Sequence, residues 1–277
     1  MKYIKKIINF CIYLLIKLRF LKLPNRSLRV LMFHDVSDLN NFSNQITILR
    51  KYWNFITPKQ FYDICHGKKK INKRLLLLTF DDGFESNFYV AQDILKKFSI
   101  KAIFFLPLKF LLIKKKSLKI NFIKHNLKIK SPHKRMNNMT LDQIKKIIKL
   151  KHSIGAHTYS HINLKNVKNN KKIKYEIVDS ANKLQKILKI KINDFSFNFG
   201  RLKDISLRML SLSNKRFDFI YTGIRGDNSN TNKIVFRDNV LPSDNKYDLF
   251  TYLSGQLDFL YSNERETLRS NFFKKKK

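Results

Sequence analysis

Short apolar runs alternate along the chain with longer segments in which apolar residues recur at helical spacing. The runs predict buried strands, and the longer segments predict helices. Because the two alternate, we expect an α/β protein with parallel strands joined by crossover helices. The predicted strands cover residues 29–36, 74–80, 102–106, 153–157, 195–199 and 217–222. The predicted helices cover residues 46–52, 57–66, 85–98, 173–188, 205–212 and 248–261, and another begins at Thr140 with the capping-box partner Gln143.

One apolar run ends abruptly in two carboxylates and a glycine. Residues 75–83 have the sequence LLLLTFDDG, which places Asp81, Asp82 and Gly83 where the strand stops. The glycine permits a tight turn, and two acids just outside a packed core are costly to place there unless they bind a metal or do acid–base chemistry. From this segment alone, an acidic turn or a helix N-cap explains them equally well.

Two histidines four residues apart strengthen the chemical interpretation. His157 and His161 share one face if their segment is helical, and in a loop after a strand they can still converge on one ion. Joined to the Asp-Asp-Gly strand end, they give a His, His, Asp ligand set. Such a set leaves coordination positions open for water and substrate, as a catalytic metal site requires.

Together these two segments resemble the motifs of the polysaccharide deacetylases, the NodB-homology group of carbohydrate esterases (carbohydrate esterase family 4). The family motif T-F-D-D-G stands unaltered at residues 79–83, and H-[ST]-x-x-H is matched by His157, Thr158 and His161. The resemblance extends over roughly residues 29–252. It implies a distorted, incomplete (β/α) barrel of seven strands in a single domain, with the site at the carboxyl ends of the strands.

The resemblance also implies a reaction. A metal-dependent deacetylase would hydrolyse the N-acetyl group of an amino sugar in a cell-envelope polysaccharide or its precursor and release acetate. The family pattern assigns Asp82, His157 and His161 as metal ligands and Asp81 as the general base. A His₂Asp set suits zinc, and cobalt or nickel could take its place. The substrate would be an N-acetylated glycan or a lipid-linked sugar.

The general acid is where the chain departs from the common family pattern. Many members place a catalytic histidine late in the sequence, whereas none of the seven histidines here follows His161. The predicted first strand ends in His34 and resembles the Y-H-x-[IV] strand of the poly-N-acetylglucosamine deacetylase branch, with Phe33 in place of Tyr. In that branch the order of elements is permuted, which implies that His34 is the general acid. A packed or surface histidine is the alternative, and Asp35 could orient an imidazole.

Two weaker matches complete the predicted site. Residues 194–200 have the sequence DFSFNFG and resemble the family strand end F-x-Y-P-[FY]-G, with Asn198 in place of proline. The resemblance implies that the backbone N–H of Phe199 is an oxyanion donor, although an ordinary buried strand explains the segment as well. Arg237 stands near the place of a late family arginine. It could pair with Asp81 and keep it ionised, or it could lie at the surface.

The charge of the chain allows several partners. Lys and Arg number 57 against 20 acidic residues, which gives a net charge of +37. A field this positive attracts nucleic acid, acidic glycans or anionic lipid. Abundant Lys, Asn, Ile and Phe with little Gly or Pro is also the footprint of an AT-rich coding sequence, and no nucleic-acid-binding motif is present. We therefore do not expect nucleic acid as a partner. The lysine-rich insertion at 107–138, with His125 and His133, is interpreted as solvated surface rather than as a lid.

We divide the chain into a basic, apolar N-terminal segment at 1–24, a deacetylase-like domain at 25–265 and a basic tail at 266–277 that includes Lys274–Lys277. The apolar run at 7–16 is too short for a confident transmembrane span, and no small-residue cleavage site follows it. We interpret it as part of a helix lying on an anionic membrane surface. An uncleaved anchor and a helix packed on the domain are the alternatives.

The expected location is therefore membrane-associated, either on the cytoplasmic face or anchored in the envelope, and we expect a monomer. Cys11 and Cys65 show no metal-ligand spacing and give no disulfide framework. The cysteines thus leave both a reducing cytoplasm and an exported location open.

Three other functions compete with deacetylation. The missing late histidine and Asn198 are compatible with a catalytically impaired relative that binds glycan without turning it over. The net charge is compatible with a nucleic-acid- or membrane-binding protein that keeps the barrel as a scaffold. An iron-dependent oxygenase uses the same two histidines and one carboxylate, but it leaves the second acid, Asp81, unexplained.

Overall fold

The computed structural model describes residues 2–231 and 233–273, so the predicted Lys274–Lys277 run lies outside the described residues. Nine strands form one sheet in the order β8-β7-β6-β5-β4-β3-β1-β9, with β2 paired to the first part of β3. Every paired neighbour runs parallel. The strands are β1 (Ser27–Phe33), β2 (Asn54–Phe55), β3 (Arg74–Phe80), β4 (Ala102–Leu106), β5 (Ser153–Ala156), β6 (Asp194–Ser196), β7 (Phe219–Tyr221), β8 (Ile234–Val235) and β9 (Asp238–Asn239).

The sheet curls into an incomplete (β/α) barrel, which confirms the predicted fold class. The expected count of seven strands is wrong, because the described residues contain nine. Strands β2, β8 and β9 are two residues long and leave no apolar run for the sequence pattern to reveal. The two edge strands, β8 and β9, are almost consecutive in the chain. Only Phe236 and Arg237 separate them, so these two residues cross the open seam of the barrel.

In the described part of the chain, twelve α-helices surround the strands. They are α1 (Lys2–Lys17), α2 (Leu39–Leu49), α3 (Pro58–Cys65), α4 (Glu85–Tyr89), α5 (Leu108–Leu112), α6 (Lys116–His125), α7 (Leu141–Lys149), α8 (Asn170–Lys174), α9 (Ser180–Leu188), α10 (Leu207–Arg216), α11 (Lys246–Ser254) and α12 (Ser262–Phe273). Two π-helical turns continue α4 and α8, at Val90–Leu95 and Tyr175–Asp179, and short 3₁₀ turns lie at Leu164–Asn166, Leu202–Asp204 and Asp258–Tyr261. The predicted capping box at Thr140 is confirmed, because Gln143 N–H donates to the Thr140 hydroxyl and the Gln143 side chain accepts from the Thr140 N–H.

Alternation along β3 decides which side chains reach the site. Leu76, Leu78 and Phe80 pack outward against the helices, whereas Leu75 and Leu77 belong to the smaller core inside the barrel. Successive strand residues point to opposite faces, so Asp81 continues the inward series where β3 ends. The four-leucine run therefore fills both cores and delivers one carboxylate to the mouth of the barrel.

The first helix packs against the barrel through α11. Asn9 is buried, its amide donates to Asp248 Oδ1 over 2.6 Å, and its carbonyl accepts from the Thr251 hydroxyl. Edge-to-face contacts join Tyr13 to Tyr247 and Phe250. Within the part of the chain that the structure describes, no helix combines the length and the apolar character needed to cross a bilayer.

The lysine-rich insertion has a small apolar core of its own. Phe84, Phe110, Phe122, Ile123 and Leu127 pack together beneath α5 and α6. The interpretation of this segment as solvated surface therefore holds for its lysines and is wrong for its aromatic side. Aromatic residues on α5 and α6 form a buried apolar face. The high lysine content of the segment made this face hard to recognise from the sequence.

Candidate active site

The predicted catalytic residues meet in one cavity at the carboxyl ends of the strands. The loops after β1, β3, β5 and β6 contribute side chains to it, and its volume is about 430 Å³. Parallel strands of a barrel end at the same rim, so residues far apart in sequence converge there. The cavity is lined by His34, Asp81, Asp82, His157, His161, Phe199 and Arg237 together with aromatic and basic residues from the C-terminal part of the chain and Lys5 from α1.

Asp82, His157 and His161 form a compact group. His161 Nε2 lies 3.1 Å from Asp82 Oδ1, and His157 Nε2 lies 3.4 Å from the same oxygen. One potential ligand atom from each residue falls within 4.8 Å of the others, and all three residues are buried. The spacing is that of side chains arranged around a single ion.

Backbone carbonyls orient both imidazoles. His157 Nδ1 lies 2.8 Å from the carbonyl oxygen of Ser196, and His161 Nδ1 lies 3.0 Å from that of Asn126. A carbonyl only accepts, so each Nδ1 carries a proton, and in the neutral form of each ring the Nε2 lone pair faces Asp82. Such outer contacts fix the tautomer and direction of metal-binding histidines.

With both rings neutral, the group brings three electron pairs together without a hydrogen between them. Asp82 Oδ1 is buried and accepts no hydrogen bond from the described residues. A buried carboxylate oxygen without a donor is costly, and a divalent cation between the three ligand atoms removes that cost. Two nitrogens and one carboxylate oxygen form a donor set that suits zinc and similar ions. The residues present thus fit the implied metal.

The same arrangement shifts the pKa values of its members. Burial raises the pKa of Asp82, but the neighbouring imidazoles of His161 and His157 outweigh it and hold that pKa well below its usual range. Burial lowers the pKa of His161, but the charge of Asp82 and the contact between the two side chains outweigh it, so the net shift of the His161 pKa is upward. The carboxylate is therefore ionised and able to bind a cation.

Strained backbone accompanies the site. Nine non-glycine residues among those described have positive φ, and four of them lie here: Asp82 at 71°, Thr158 at 60°, His161 at 55° and Phe199 at 64°. A side chain in the left-handed region costs free energy that the surrounding structure must offset. Such strain clusters where side chains must be aimed at a ligand.

Arg237 binds both oxygens of Asp81. Nη1 donates to Oδ1 over 2.8 Å and Nη2 donates to Oδ2 over 2.9 Å, with both side chains almost completely buried. The guanidinium also donates to the Thr222 carbonyl and the Ser196 hydroxyl, and it lies over the Phe105 ring. Burial raises the pKa of Asp81, but Arg237 outweighs it, so the pKa lies below its usual value. The sequence left Arg237 either paired with Asp81 or at the surface, and in the structure it is paired with Asp81.

His34 and Phe199 lie at the edges of the same cavity. His34 is half-buried and follows the last residue of β1. Asp35 contacts an imidazole that is not His34, because its Oδ2 lies 2.9 Å from His133 Nε2. The ring of Phe199 packs against His161 with centroids 5.2 Å apart, and its backbone N–H has no acceptor among the described residues.

Several residues that support the site carry no motif. Glu176, buried in the π-helical turn after α8, accepts from the Tyr159 and Ser160 N–H groups and from the Ser160 hydroxyl, which fixes the loop between the two histidines. Ser196 and Asn126 supply the carbonyls that orient the imidazoles. A buried acid inside a lysine-rich helix was the one available signal for Glu176, whereas a backbone carbonyl leaves no trace in the sequence.

Comparison with known proteins agrees with this geometry. The family model described as "Polysaccharide deacetylase" matches residues 68–215, which is more than half of the chain. A curated Bacillus subtilis (strain 168) protein, "Putative polysaccharide deacetylase YxkH", is 24% identical over 189 residues, which are 65% of this chain and 60% of that protein. The chain thus spans less than two thirds of the length of this relative.

Solved structures share the fold. The Streptococcus pyogenes deacetylase PplD, solved in complex with acetate, superposes with a TM-score of 0.65 at 20% identity and covers 83% of this chain and 99% of that one. IcaB from Ammonifex degensii gives a TM-score of 0.65 at 19% identity over 83% of this chain and 97% of that one. At these identities the likeness establishes the fold, and the site must be argued from its own residues.

Proposed function

We propose that this chain, which belongs to the polysaccharide deacetylase family, is a metal-dependent hydrolase that removes the N-acetyl group from an amino sugar of a cell-envelope polysaccharide or its precursor. The products are acetate and a free amine. The observation that carries the proposal is the convergence of Asp82, His157 and His161 beside the ionised Asp81, in a cavity open to substrate. An oxygenase mechanism would not explain why Asp81 is present and paired with the buried Arg237.

Asp82 Oδ1 and the two Nε2 atoms would hold the metal, with zinc favoured by the donor set and cobalt or nickel as substitutes. When bound, the metal would polarise the acetamido carbonyl and lower the pKa of a nearby water. Asp81 is the general base that takes the proton of the attacking water, because Arg237 keeps it ionised and fixes both oxygens. Ser196 steadies the guanidinium from the side.

His34 is the proposed general acid. It reaches the cavity from the end of β1 and is half-buried, so it can face both the substrate and the solvent from which it regains its proton. The free N–H of Phe199 is the proposed donor to the acetamido oxygen, which becomes an oxyanion when water attacks the acetamido carbon. With these roles, the early histidine supplies the proton that a late histidine supplies in other family members.

The proposal is tested by metal content and acetate release together. After chelation and zinc re-addition, we expect about one metal per chain and acetate release from N-acetylglucosamine oligomers by the wild-type protein. His157→Ala should lose both, and His34→Ala should lose acetate release while it keeps the metal. His66→Ala is the matched control, since His66 is exposed on the far end of α3.

The outcomes separate the competing functions. A bound metal that is lost in His157→Ala, with no acetate release from any acetylated glycan, would favour the catalytically impaired relative. Equal metal content in wild type and His157→Ala would sink the proposed metal site.

We also propose that the protein works at an anionic membrane surface, as a monomer. The face of α1 turned away from α11 carries exposed apolar side chains, with exposed fractions between 39% and 83%: Tyr3, Ile4, Ile7, Ile8, Leu14 and Leu15. The polar Asn9 faces the domain instead. A helix that turns its apolar face outward lacks a partner, and the net charge of +37 suits anionic lipid. The location of the protein follows from this proposal.

A further inference from the structure

Five side chains along one wall of the catalytic cavity alternate between cations and aromatic rings. In order they are Lys5, Tyr252, Arg225, Tyr261 and Arg201, and all five line the cavity that holds Asp81. Lys5 Nζ lies 5.3 Å from the Tyr252 ring centroid, and the Arg225 guanidinium lies 4.4 Å from the same ring. Arg225 and Arg201 lie 5.6 Å and 5.5 Å from the Tyr261 ring. We call this array the cation ladder.

The ladder is assembled from segments far apart in the chain. Lys5 comes from α1, and its Nζ donates to the Tyr252 hydroxyl over 3.1 Å. Tyr252 lies on α11, while Arg201 and Arg225 follow β6 and β7. Stacking on ring faces stabilises a cation where it stands and limits the directions in which its donors point. The wall therefore presents positive charge in fixed places.

The carboxylates near the cation ladder do not pair with every N–H group of its cations. Arg201 pairs with Glu264, and Arg225 Nε lies 2.9 Å from Asp238 Oδ1, which Arg29 also binds. Despite that distance, the buried Nε of Arg225 makes no hydrogen bond to the described residues. Among the described residues, no carboxylate lies within salt-bridge distance of Lys5. The charge of Lys5 lowers the pKa of Asp244 from a greater distance. Both cations beside Tyr252 can thus donate into the cavity.

We propose that the cation ladder binds a phosphate group attached to the acetamido sugar, so that the substrate is a phosphate-bearing glycan. This inference rests on the proposed function. A neutral acetylated oligosaccharide offers only uncharged hydroxyl and carbonyl acceptors to a guanidinium fork and an ammonium that line the cavity. A phosphate offers several charged acceptors and accepts the two parallel N–H bonds of an arginine. The phosphate could be a diester within the glycan or the pyrophosphate of a lipid carrier.

Binding is tested first with a probe that cannot be deacetylated. The methyl phosphodiester of glucose 1-phosphate lacks an acetamido group, and its affinity for the zinc-loaded protein is measured by calorimetry. We expect Lys5→Gln and Arg225→Gln each to weaken binding by about tenfold, since each removes charged hydrogen bonds. Lys183→Gln, on the exposed face of α9, is the matched control and should bind as wild type does.

Acetate release then identifies the source of the phosphate. The rate constant kcat/KM is compared for the N-acetylglucosamine trisaccharide, N-acetylglucosamine 1-(methyl phosphate) and the same sugar on a prenyl pyrophosphate. We expect a preference for one phosphate-bearing substrate, and Lys5→Gln should reduce the ratio of its kcat/KM to that of the trisaccharide by about tenfold.

Unchanged probe affinity in both Lys5→Gln and Arg225→Gln would overturn the inference. So would a wild-type kcat/KM that is equal for the three substrates. Because Lys5 is exposed on α1, its variant keeps the test valid should Arg225→Gln misfold. If no substrate releases acetate, the proposed function fails, while the calorimetric comparison still decides whether the ladder binds phosphate.

Discussion

Asp81 keeps its charge in a buried place because Arg237 binds both of its oxygens. We expect Arg237→Lys to reduce kcat/KM for acetate release by about 10- to 100-fold, the usual range when a supporting partner is lost. A lysine keeps the positive charge but cannot donate two parallel bonds and also reach Thr222 and Ser196. Metal content should stay near one per chain, because Asp82 and the histidines are untouched.

Arg208→Lys is the control for this substitution, since Arg208 is exposed on α10 and should tolerate it without loss. An Arg237→Lys protein with the activity of wild type would show that charge alone suffices at this position. Loss of metal together with activity would instead assign Arg237 to the integrity of the whole site.

Asp194, at the amino end of β6, gives a second prediction at the level of single residues. Burial raises the pKa of Asp194 to about 7, against a hydrogen bond of 2.5 Å from the Tyr62 hydroxyl that lowers it. The folded state therefore binds this proton more tightly than the unfolded chain does. The contribution of Asp194 to stability is therefore greatest at low pH, and it falls as the pH rises from the unfolded pKa near 3.8 to about 7, by about 1.4 kcal/mol per pH unit.

Urea unfolding of wild type and Asp194→Asn between pH 5 and pH 7 measures this contribution. In Asp194→Asn, the free energy of unfolding should fall less steeply with pH than in wild type, because the contribution of Asp194 is absent. Asp142→Asn, at an exposed position on α7, should show the same pH dependence as wild type. Parallel curves for wild type and Asp194→Asn would contradict the assignment.

The residues predicted from sequence are those that belong to short local patterns. The TFDDG and HxxxH segments each fit within seven residues. A motif of that size can be recognised in the sequence because all of its residues follow the end of a single strand. Glu176, Ser196 and Asn126 act across 16 to 39 residues of sequence, through contacts that only the folded chain creates. For this reason the proposed metal ligands were predictable from the sequence, and the residues that orient them were not.

At the level of elements, α1 makes the sharpest prediction, because its apolar face is turned away from the domain. We expect wild type to bind vesicles that contain anionic phospholipid, and the pair Ile7→Glu and Leu14→Glu to weaken binding at least tenfold. Burial of each large apolar side chain is worth about 1.5–3 kcal/mol, and each new carboxylate is repelled by the lipid. Co-sedimentation measures the effect.

Leu118→Glu provides the control, since Leu118 is an exposed leucine on α6 with no part in the α1 face. Equal binding by the Ile7→Glu, Leu14→Glu protein would show that charge alone attracts the vesicles. Binding lost equally in the Leu118 variant would point to general hydrophobic adsorption.

The ends of strands and helices were predictable from the sequence where a single local pattern marks them. The strands at 74–80 and 102–106 match the observed β3 and β4, because apolar runs between turn residues mark both ends. The helices predicted at 85–98 and 173–188 each contain a π-helical turn, which side-chain periodicity does not distinguish from an α-helix. The edge strands β8 and β9 exist only because β7 and β1 pair with them.

For the whole molecule, the proposed metal would join parts of the barrel that are separate in the chain. Asp82 follows β3 and His157 follows β5, while His161 lies in the loop beyond. A ligand that binds only the folded state raises stability by mass action, by about 2.7 kcal/mol at a hundredfold excess over Kd. In a chain of 277 residues we expect the Tm to rise by about 5–10 °C.

Thermal unfolding of the chelated protein with and without zinc tests this expectation. His157→Ala should show no zinc-dependent rise, and His66→Ala should show the wild-type rise, because exposed His66 lies outside the group. The barrel is open at the seam that Phe236 and Arg237 cross, and Arg237 there holds Asp81, beside the proposed metal ligand Asp82. Stabilisation should thus reach the seam, seen as slower amide exchange in β8 and β9 when zinc is bound. An equal Tm rise in His157→Ala would mean that zinc binds elsewhere on the chain.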